Sequence, residues 1–171
     1  MLPSAHPSNV LNKSMDWLGR TISWCLPAMA LLVLFIVVLR YGFNTGAIAA
    51  QESVQYLHAI VFMLGSAITL GADQHVRVDI FYRQFNARQK AWVNALGHIV
   101  FTLPLCGLIG LGSWDYVADS WSAREASPEP GGLPLVFALK TLIPVMALLL
   151  ALQAALQIYR AVDVLRDRGD S

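Results

Sequence analysis

The stretch that decides the fold is TISWCLPAMALLVLFIVVL, residues 21–39, which contains no Asp, Glu, Lys or Arg. A helix needs about 20 apolar residues to cross the hydrocarbon of a bilayer. Three further runs without these charged residues follow at positions 53–72, 91–113 and 141–159. Runs this apolar indicate helices, because membrane-spanning strands would be shorter and would alternate polar with apolar residues. The sequence therefore predicts an all-α integral membrane protein with four transmembrane helices.

The composition of the whole chain agrees with this prediction. Of its 171 residues, 56% are apolar and 13% are charged, and the mean hydropathy is +0.54, well above that of a soluble domain. The segments between the runs are too short to bury a core of their own. We therefore expect residues 1–171 to form a single membrane domain without a separate catalytic domain. The formal net charge of +1 provides no basic face for nucleic acid.

The first run has an alternative explanation as a cleaved signal peptide, since Ala47, Ala49 and Ala50 supply small residues downstream. However, the run is longer than the about 7 to 15 apolar residues of a signal core. It also begins late in the chain, and Arg40 separates it from those alanines. We expect the run to remain as a transmembrane helix.

Basic residues near the helix ends predict the orientation, because they are enriched on the cytoplasmic side. Nine lie in the N-terminal segment, the second loop and the C-terminal tail, whereas the first and third loops contain only Arg40, Arg124 and Lys140. Both termini are therefore expected to be cytoplasmic, with the first and third loops outside. Five acidic residues would then lie on the outer side: Glu52, Asp115, Asp119, Glu125 and Glu129.

Amphipathic segments beside the runs predict helices that lie in the membrane interface. In the connector at residues 78–90, and on to Trp92, apolar side chains alternate with cations at helical spacing, which is typical of interfacial helices. We expect this connector to rest on the cytoplasmic leaflet, near anionic headgroups. A weaker stripe of apolar residues at helical spacing precedes the first run.

On the outer side, an aromatic girdle is predicted from Trp114, Tyr116 and Trp121. The segment SPEPGG at residues 127–132 is expected to turn the chain back.

The apolar runs contain two cysteines and two histidines, and neither pair predicts a cofactor. Cys25 and Cys106 would differ in depth by roughly 15 Å, too far for a disulfide, so both are expected to be small buried residues. His58 and His98 would be offset by roughly 15 Å as well, and one haem iron cannot take both as ligands. We expect no cofactor, no resident metal ion and no enzymatic activity.

The centres of the four runs contain no ionisable side chain, whereas such groups mark ion and proton pathways in membranes. Ser66 and Thr102 are polar but can bond to their own helix. A stand-alone channel or carrier and a membrane redox subunit remain alternative functions.

Small residues predict close helix packing, within this chain or against another subunit, at three pairs: Gly65 with Thr69, Gly71 with Ala72, and Gly107 with Gly110.

The most distinctive motif is HVRVD, residues 75–79, directly after the second run. A surface turn with a local pair between Arg77 and Asp79 would explain it, and such pairs stabilise little when exposed. Other features occur around it in a characteristic order. A polar segment that closes the first run contains Arg40, Tyr41, Phe43 and Asn44, and a turn before the last run contains Ser127, Pro128 and Pro134.

In this order of motifs, over residues 20–160, the sequence resembles the small membrane subunit, of DctQ type, of tripartite ATP-independent periplasmic (TRAP) transporters. One departure from the family pattern is visible. The family often has a tryptophan and two adjacent acids just before the second helix, where this sequence has Ala49, Gln51 and Glu52. Only Glu52 matches.

The resemblance implies a division of labour between subunits in the bacterial inner membrane. A large multi-pass subunit would carry the substrate and sodium sites, a periplasmic solute-binding protein would capture a small organic acid, and this chain would be a fixed scaffold held by membrane lipids. Arg40, Asn44 and Glu52, together with the third loop, would form part of the landing surface for the binding protein. The full set of candidate partner contacts is Arg40, Tyr41, Asn44, Glu52, His75, Arg77, Asp79 and Ser127.

Overall fold

The computed structural model describes Met15 and residues 17–71 and 85–166. Within these residues the regular secondary structure is entirely helical. Four helices are long and apolar enough to cross a membrane, as the sequence predicts. In chain order they are α1 Trp17–Gly42, α2 Ile48–Gly71, α3 Ala87–Ser122 and α4 Val136–Arg166.

All four helices differ in their bounds from the charge-free runs. The largest difference lies in α3, which continues past residue 113 to Ser122. In its last segment, Trp114–Ser122, Val117 and Ser120 are buried while Trp114 is exposed. Polar and aromatic side chains at a helix end can reach water while the backbone remains hydrogen-bonded. The absence of charge therefore identifies the most apolar part of each helix but not its ends.

A reciprocal pair of hydrogen bonds begins α3. The Asn86 side chain accepts from the backbone N–H of Gln89 at 2.9 Å, and the Gln89 side chain accepts from the N–H of Asn86 at 3.0 Å. This capping box satisfies two N–H groups that have no partner within the helix. The expected connector at residues 78–90 is described only from residue 85, and from Ala87 onward it is the first turn of α3. Its placement in the membrane interface stays a prediction.

A π-helical turn at His98–Thr102 interrupts α3. The N–H of Leu103 donates to the carbonyl of His98, five residues earlier, and Pro104 follows. Proline has no N–H, and its ring clashes with the carbonyl four residues before it in an α-helix. The wider turn accommodates Pro104 without ending the helix. His98 is buried, with Nδ1 3.2 Å from the hydroxyl of Thr102.

The helices pack in the order α1, α2, α4, α3, which makes an open row. The most extensive contact joins α2 to α4; α1 packs against α2, and α3 packs against α4 along its length. Small side chains let two backbones approach closely, which favours helix association in lipid. Most side chains of the four helices nevertheless face outward. The buried small residues are mainly alanines: Ala67, Ala91, Ala95, Ala147, Ala154 and Ala161.

The glycines predicted to mediate close packing divide into two groups. A Cβ on Gly110 would lie 3.6 Å from the Cβ of Ala147, and a Cβ on Gly71 would overlap the side chain of Gln153. These two glycines pack within the chain. Gly65 and Gly107, in contrast, would have no atom within 4 Å of an added Cβ, so their surfaces are open.

Two glutamines of α4 meet the C-terminal end of α2. The amide nitrogen of Gln157 donates to the carbonyls of Leu70 and Gly71, at 3.4 Å each. Gln157 therefore joins α4 to the last described turn of α2. Gln153 is 1% exposed, and its carbonyl oxygen has no hydrogen-bond partner.

One sequence prediction about polar residues is confirmed and another is confirmed in part. Cys25 and Cys106 are both unpaired, and Cys106 is buried as expected, whereas Cys25 is half-buried. Ser66 donates to the carbonyl of Met63 in its own helix at 2.7 Å. The hydroxyl of Ser66 therefore has its hydrogen-bond partner within α2.

Candidate functional site at the α1–α2 and α3–α4 turns

The turns after α1 and α3 lie at the same end of the molecule. Glu52 contacts Ser127 at this end, and Gly71 contacts Gln157 at the other, so α2 and α4 run parallel. On the predicted orientation, the end with the two turns faces outward. Most of the described residues proposed as partner contacts lie here.

Backbone hydrogen bonds close the α3–α4 turn. The N–H of Ser127 donates to the carbonyl of Leu133 at 3.1 Å, and the N–H of Gly132 donates to the carbonyl of Glu129 at 2.9 Å. Gly131 has a φ of +82°, a conformation that glycine adopts without steric cost. The predicted chain reversal at residues 127–132 is confirmed, and it is an ordered loop.

One carboxylate joins α2 to this turn. Glu52, near the N-terminal end of α2, accepts hydrogen bonds from the hydroxyl of Ser127 and from the N–H of Leu133, the latter at 2.6 Å. The Ser127 hydroxyl also accepts from the N–H of Glu129 at 3.2 Å. Hydrogen bonds to an ionised acceptor are stronger than neutral ones. We call Glu52, Ser127 and Leu133 the Glu52 latch, because together they fix the turn to α2.

Gly132 provides the space that the Glu52 latch needs. A Cβ at this position would lie 2.6 Å from the Cβ of Ser127 and 2.7 Å from a carboxylate oxygen of Glu52. Both distances are shorter than non-bonded contacts allow. Any side chain at position 132 would therefore push the latch apart.

A second polar cluster joins α3 to α4. Lys140 donates to the carboxylate of Glu125, and its ammonium nitrogen lies 3.9 Å from the centre of the Tyr116 ring. The hydroxyl of Ser120 donates to the same carboxylate at 2.6 Å. The hydrogen bond from Lys140, followed by that from Ser120, holds the pKa of Glu125 below its ordinary value. We call these four residues the Glu125 cluster.

Trp121 strengthens the same junction between α3 and α4. Its ring packs edge-on against Phe137, with ring centres 4.7 Å apart, and its indole N–H donates to the hydroxyl of Thr141 at 2.8 Å. That hydroxyl in turn donates to the carbonyl of Phe137 at 2.8 Å. The beginning of α4 is therefore held by ring packing as well as by the Glu125 cluster.

A cavity of about 350 Å³ lies between the end of α1 and the beginning of α2. Arg40 and Asn44 line it from the α1 side, and Gln51 lines it from α2. Asn44 has a φ of +55°, which asparagine tolerates better than most residues. This conformation lets the chain turn within a few residues. The cavity therefore brings a cation and two amide side chains together at the surface.

The structure places five of the eight predicted contact residues. Arg40 and Asn44 share the cavity, and Glu52 and Ser127 bond to each other, whereas Tyr41 stands apart and is 83% exposed. The carboxylate of Glu52 is used within the chain, so its observed role is to hold the turn. Direct contact of these five residues with partner proteins stays a prediction.

The other three predicted contact residues, His75, Arg77 and Asp79, lie outside the described residues. The local pair between Arg77 and Asp79 and the role of the HVRVD motif therefore also stay predictions.

Sequence reasoning missed the Glu125 cluster. From the sequence alone, Glu125 and Lys140 count as separate exposed charges on the outer side, whereas in the structure they are paired. A signal for the pair was present. The two opposite charges flank a turn rich in proline and glycine, and such a turn brings its flanks together.

This end of the molecule carries exposed acidic side chains. Asp115, Asp119 and Glu129 are exposed beside the turns and give it acidic character. Among the residues that the structure describes, no group of three His, Cys, Asp or Glu side chains is placed to hold a metal ion. The expected lack of a metal ion or cofactor in the whole chain stays a prediction.

Four apolar helices in an open row, with the Glu52 latch and the Glu125 cluster at the turns, define a multi-pass α-helical membrane protein. The chain belongs to a known family of such proteins. Residues 29–164 match the family described as tripartite ATP-independent periplasmic transporters, DctQ component. The resemblance inferred from the order of the sequence motifs is thereby confirmed.

Two sequence relatives agree with this assignment. A protein of Haemophilus influenzae described as a TRAP transporter small permease is 32% identical over 107 residues, which cover 63% of this chain and 64% of that protein. The C4-dicarboxylate TRAP transporter small permease protein DctQ of Vibrio cholerae is 28% identical over 114 residues, which cover 64% of this chain and 49% of that protein. The match thus spans less than two thirds of either relative.

The chain is therefore a small permease component of a TRAP transporter and a multi-pass protein of the bacterial inner membrane. The family is a transporter subunit family, which is generally not enzymatic.

Proposed function

We propose that this chain is the scaffold subunit of a TRAP transporter. It pairs with a large sodium-coupled membrane subunit and helps a periplasmic solute-binding protein to dock for the uptake of a small organic acid. The observation that carries the proposal is the open row of helices. A chain that leaves most of its apolar side chains uncovered in the membrane suits assembly with a larger partner.

The packing of α1 supports this proposal. Its regular part, Cys25–Gly42, has no buried residue, and it contacts mainly α2. Gly65 and Gly107 likewise leave open surface where a helix of a partner would fit closely. The two termini would be cytoplasmic, and the connector before α3 would hold the scaffold level in the inner leaflet.

The two turns support a docking role. The Glu52 latch and the Glu125 cluster hold the α3–α4 turn in one conformation, and an ordered surface loses less entropy on binding than a flexible one. The acidic residues beside the turns would favour a binding protein with basic groups on its facing surface. An organic acid is proposed because the relative in Vibrio cholerae is named for C4-dicarboxylates.

A stand-alone channel or carrier is the alternative, and a redox subunit is a further one. Transport by this chain alone would require polar groups at mid-depth that line a pathway. Within the described residues the Glu52 latch and the Glu125 cluster lie at the turns, and the cavity between α3 and α4 is lined mainly by apolar residues. This distribution favours the scaffold role.

The experiment is a mild-detergent purification of the tagged chain from its native membrane, with identification of the recovered proteins by mass spectrometry. Recovery of a much larger multi-pass protein in about equal amount is expected. Recovery of the chain alone, or only as its own oligomer, would overturn the proposal. Liposomes that contain only this chain serve as the second arm, in which solute uptake would establish the carrier function instead.

A further inference from the structure

One face of α2 carries a stripe of exposed side chains. Gln51, Gln55, His58 and Phe62 are exposed, and all other residues of α2 are half-buried or buried. Their spacings of four, three and four residues place them on one face of the helix. Because α1 and α4 cover its flanks, this stripe is the part of α2 that remains available to the surroundings.

The length of α2 implies that Gln55 and His58 lie within the depth of the hydrocarbon. With 24 residues, α2 is about 36 Å long, whereas the hydrocarbon is about 30 Å thick. When the helix is centred, Gln55 and His58 lie about 7.5 and 12 Å below the hydrocarbon boundary. Neither side chain is long enough to reach the headgroups from there.

No partner for these polar groups is found within the described part of the chain. The side chains of Gln51, Gln55 and His58 make no hydrogen bond there, and the imidazole of His58 stacks on the Phe62 ring with centres 6.4 Å apart. A polar group that faces hydrocarbon without a hydrogen bond is strongly disfavoured. Acyl chains offer no such bond, so lipid does not fit this stripe.

The exposed stripe of α4 provides a contrast. Leu148, Leu152, Ala155 and Val162 are exposed at helical spacing along one face, with Tyr159 toward the C-terminal end. These side chains suit acyl chains without further partners. The two inner helices of the row therefore present faces of different chemistry, one polar and one apolar.

We infer that the α2 stripe, Gln51 to Phe62, is the interface for a transmembrane helix of the large membrane subunit, and that groups on this helix hydrogen-bond to Gln55 and His58. The inference rests on the proposed function, since the other components of a tripartite transporter supply the partner. Hydrogen bonds between helices favour association within the bilayer, and the ring of Phe62 would pack against the same helix.

The test is photocrosslinking within the assembled complex, co-expressed with the large subunit in the native membrane. A benzophenone amino acid replaces Phe62, the aromatic residue of the same stripe, in one sample and Leu152 of α4 in the matched control, so that Gln55 and His58 are kept in both. The expected result is a crosslink from position 62 to the large subunit and much weaker crosslinking from position 152. Crosslinks from position 62 only to lipid or to a second copy of this chain would overturn the inference, as would equal yields from the two positions.

Substitutions add a second readout, namely the amount of large subunit that is recovered with the tagged chain. His58→Leu should lower this amount severalfold, and His58→Gln should restore most of it because glutamine keeps hydrogen-bonding capacity. Equal recovery with His58→Leu and the unmodified chain would contradict the inference. The failure of the proposed function would look different, because the unmodified chain would then recover no large subunit at all.

Discussion

Glu52 and Ser127 lie 75 positions apart in the sequence, yet the hydroxyl of Ser127 donates directly to the carboxylate of Glu52. The bond connects the beginning of α2 to the α3–α4 turn. Together with the N–H of Leu133, it gives the turn an anchor outside the helices that the turn connects. The resulting surface is fixed by residues from three helices and their turns.

We expect Glu52→Ala to release the α3–α4 turn. The hydroxyl of Ser127 and the N–H of Leu133 would lose their shared acceptor, and an unpaired backbone group favours local opening. Limited proteolysis of the purified chain in detergent should show faster cleavage within residues 123–135. Glu129→Ala is the matched control, because it removes an exposed acid from the same turn. Equal cleavage rates for the two variants would contradict the prediction.

We expect Gly132→Ala to weaken the same anchor by steric overlap. The new methyl group would lie 2.7 Å from a carboxylate oxygen of Glu52, so the latch would have to open. Thermal unfolding followed by tryptophan fluorescence should show a lower Tm. Gly112→Ala is the control, since a Cβ there would meet nothing within 4 Å and alanine is the better helix former. A Gly132→Ala protein as stable as this control would refute the steric argument.

The Glu125 cluster should make stability depend on acid pH. The hydrogen bonds from Lys140 and Ser120 lower the pKa of Glu125 in the folded protein from its ordinary 4.5. A group whose pKa is lower in the folded protein than in the unfolded chain stabilises the fold fully at pH values above its pKa in the unfolded chain. This stabilisation is lost as the pH falls through the pKa of the group in the folded protein. The Tm difference between the unmodified chain and Glu125→Gln should therefore be constant from about pH 7 to 5 and shrink below pH 4.5.

Glu129→Gln is the control for this pH series, because it removes the same charge from an exposed position on the same turn. Its Tm should follow that of the unmodified chain at every pH. A Tm difference for Glu125→Gln that stays unchanged below pH 4.5 would show that the ion pair does not stabilise the fold.

Hydrophobic runs were sufficient to predict the number of helices but not their ends or their arrangement. The runs identify the parts of the chain that water cannot solvate, and the bilayer leaves helices as the only structure available to them. The extension of α3 to Ser122 depends on Asp115 and Asp119 reaching solvent from a continuing helix. The order of the helices in the row depends on which of their alanine-containing faces pack together. The sequence of one helix does not specify which other helix it packs against.

The sequence named only some members of the candidate site and none of the contacts between them. Glu52 and Ser127 were predicted as partner contacts from their places in the order of family motifs. That order contains no information on the hydrogen bond between them. Glu125 and Lys140 were both assigned to the third loop as separate charges, whereas Lys140 lies in α4 and pairs with Glu125. Contacts between residues far apart in sequence depend on tertiary packing, so local pattern alone does not show them.

Gln153 and Gln157 should respond in opposite directions to the same substitution. The carbonyl oxygen of Gln153 is buried without a partner, and a buried unpaired acceptor destabilises by about 1 to 3 kcal/mol. Gln153→Met keeps a similar volume and removes this acceptor, so it should raise stability by on the order of 1 kcal/mol. Gln157→Met should lower stability by about 0.5 to 1.5 kcal/mol, because the carbonyls of Leu70 and Gly71 lose their donor.

The two methionine variants are matched controls for each other, since they lie one turn apart on α4 and carry the same change. Their Tm values in one detergent should fall on opposite sides of that of the unmodified chain. A decrease for Gln153→Met as large as that for Gln157→Met would mean that the Gln153 carbonyl has a partner in the folded protein, such as a bound water. The side chain would then stabilise the contact between α4 and the end of α2, and its burial against Gly71 would be favourable.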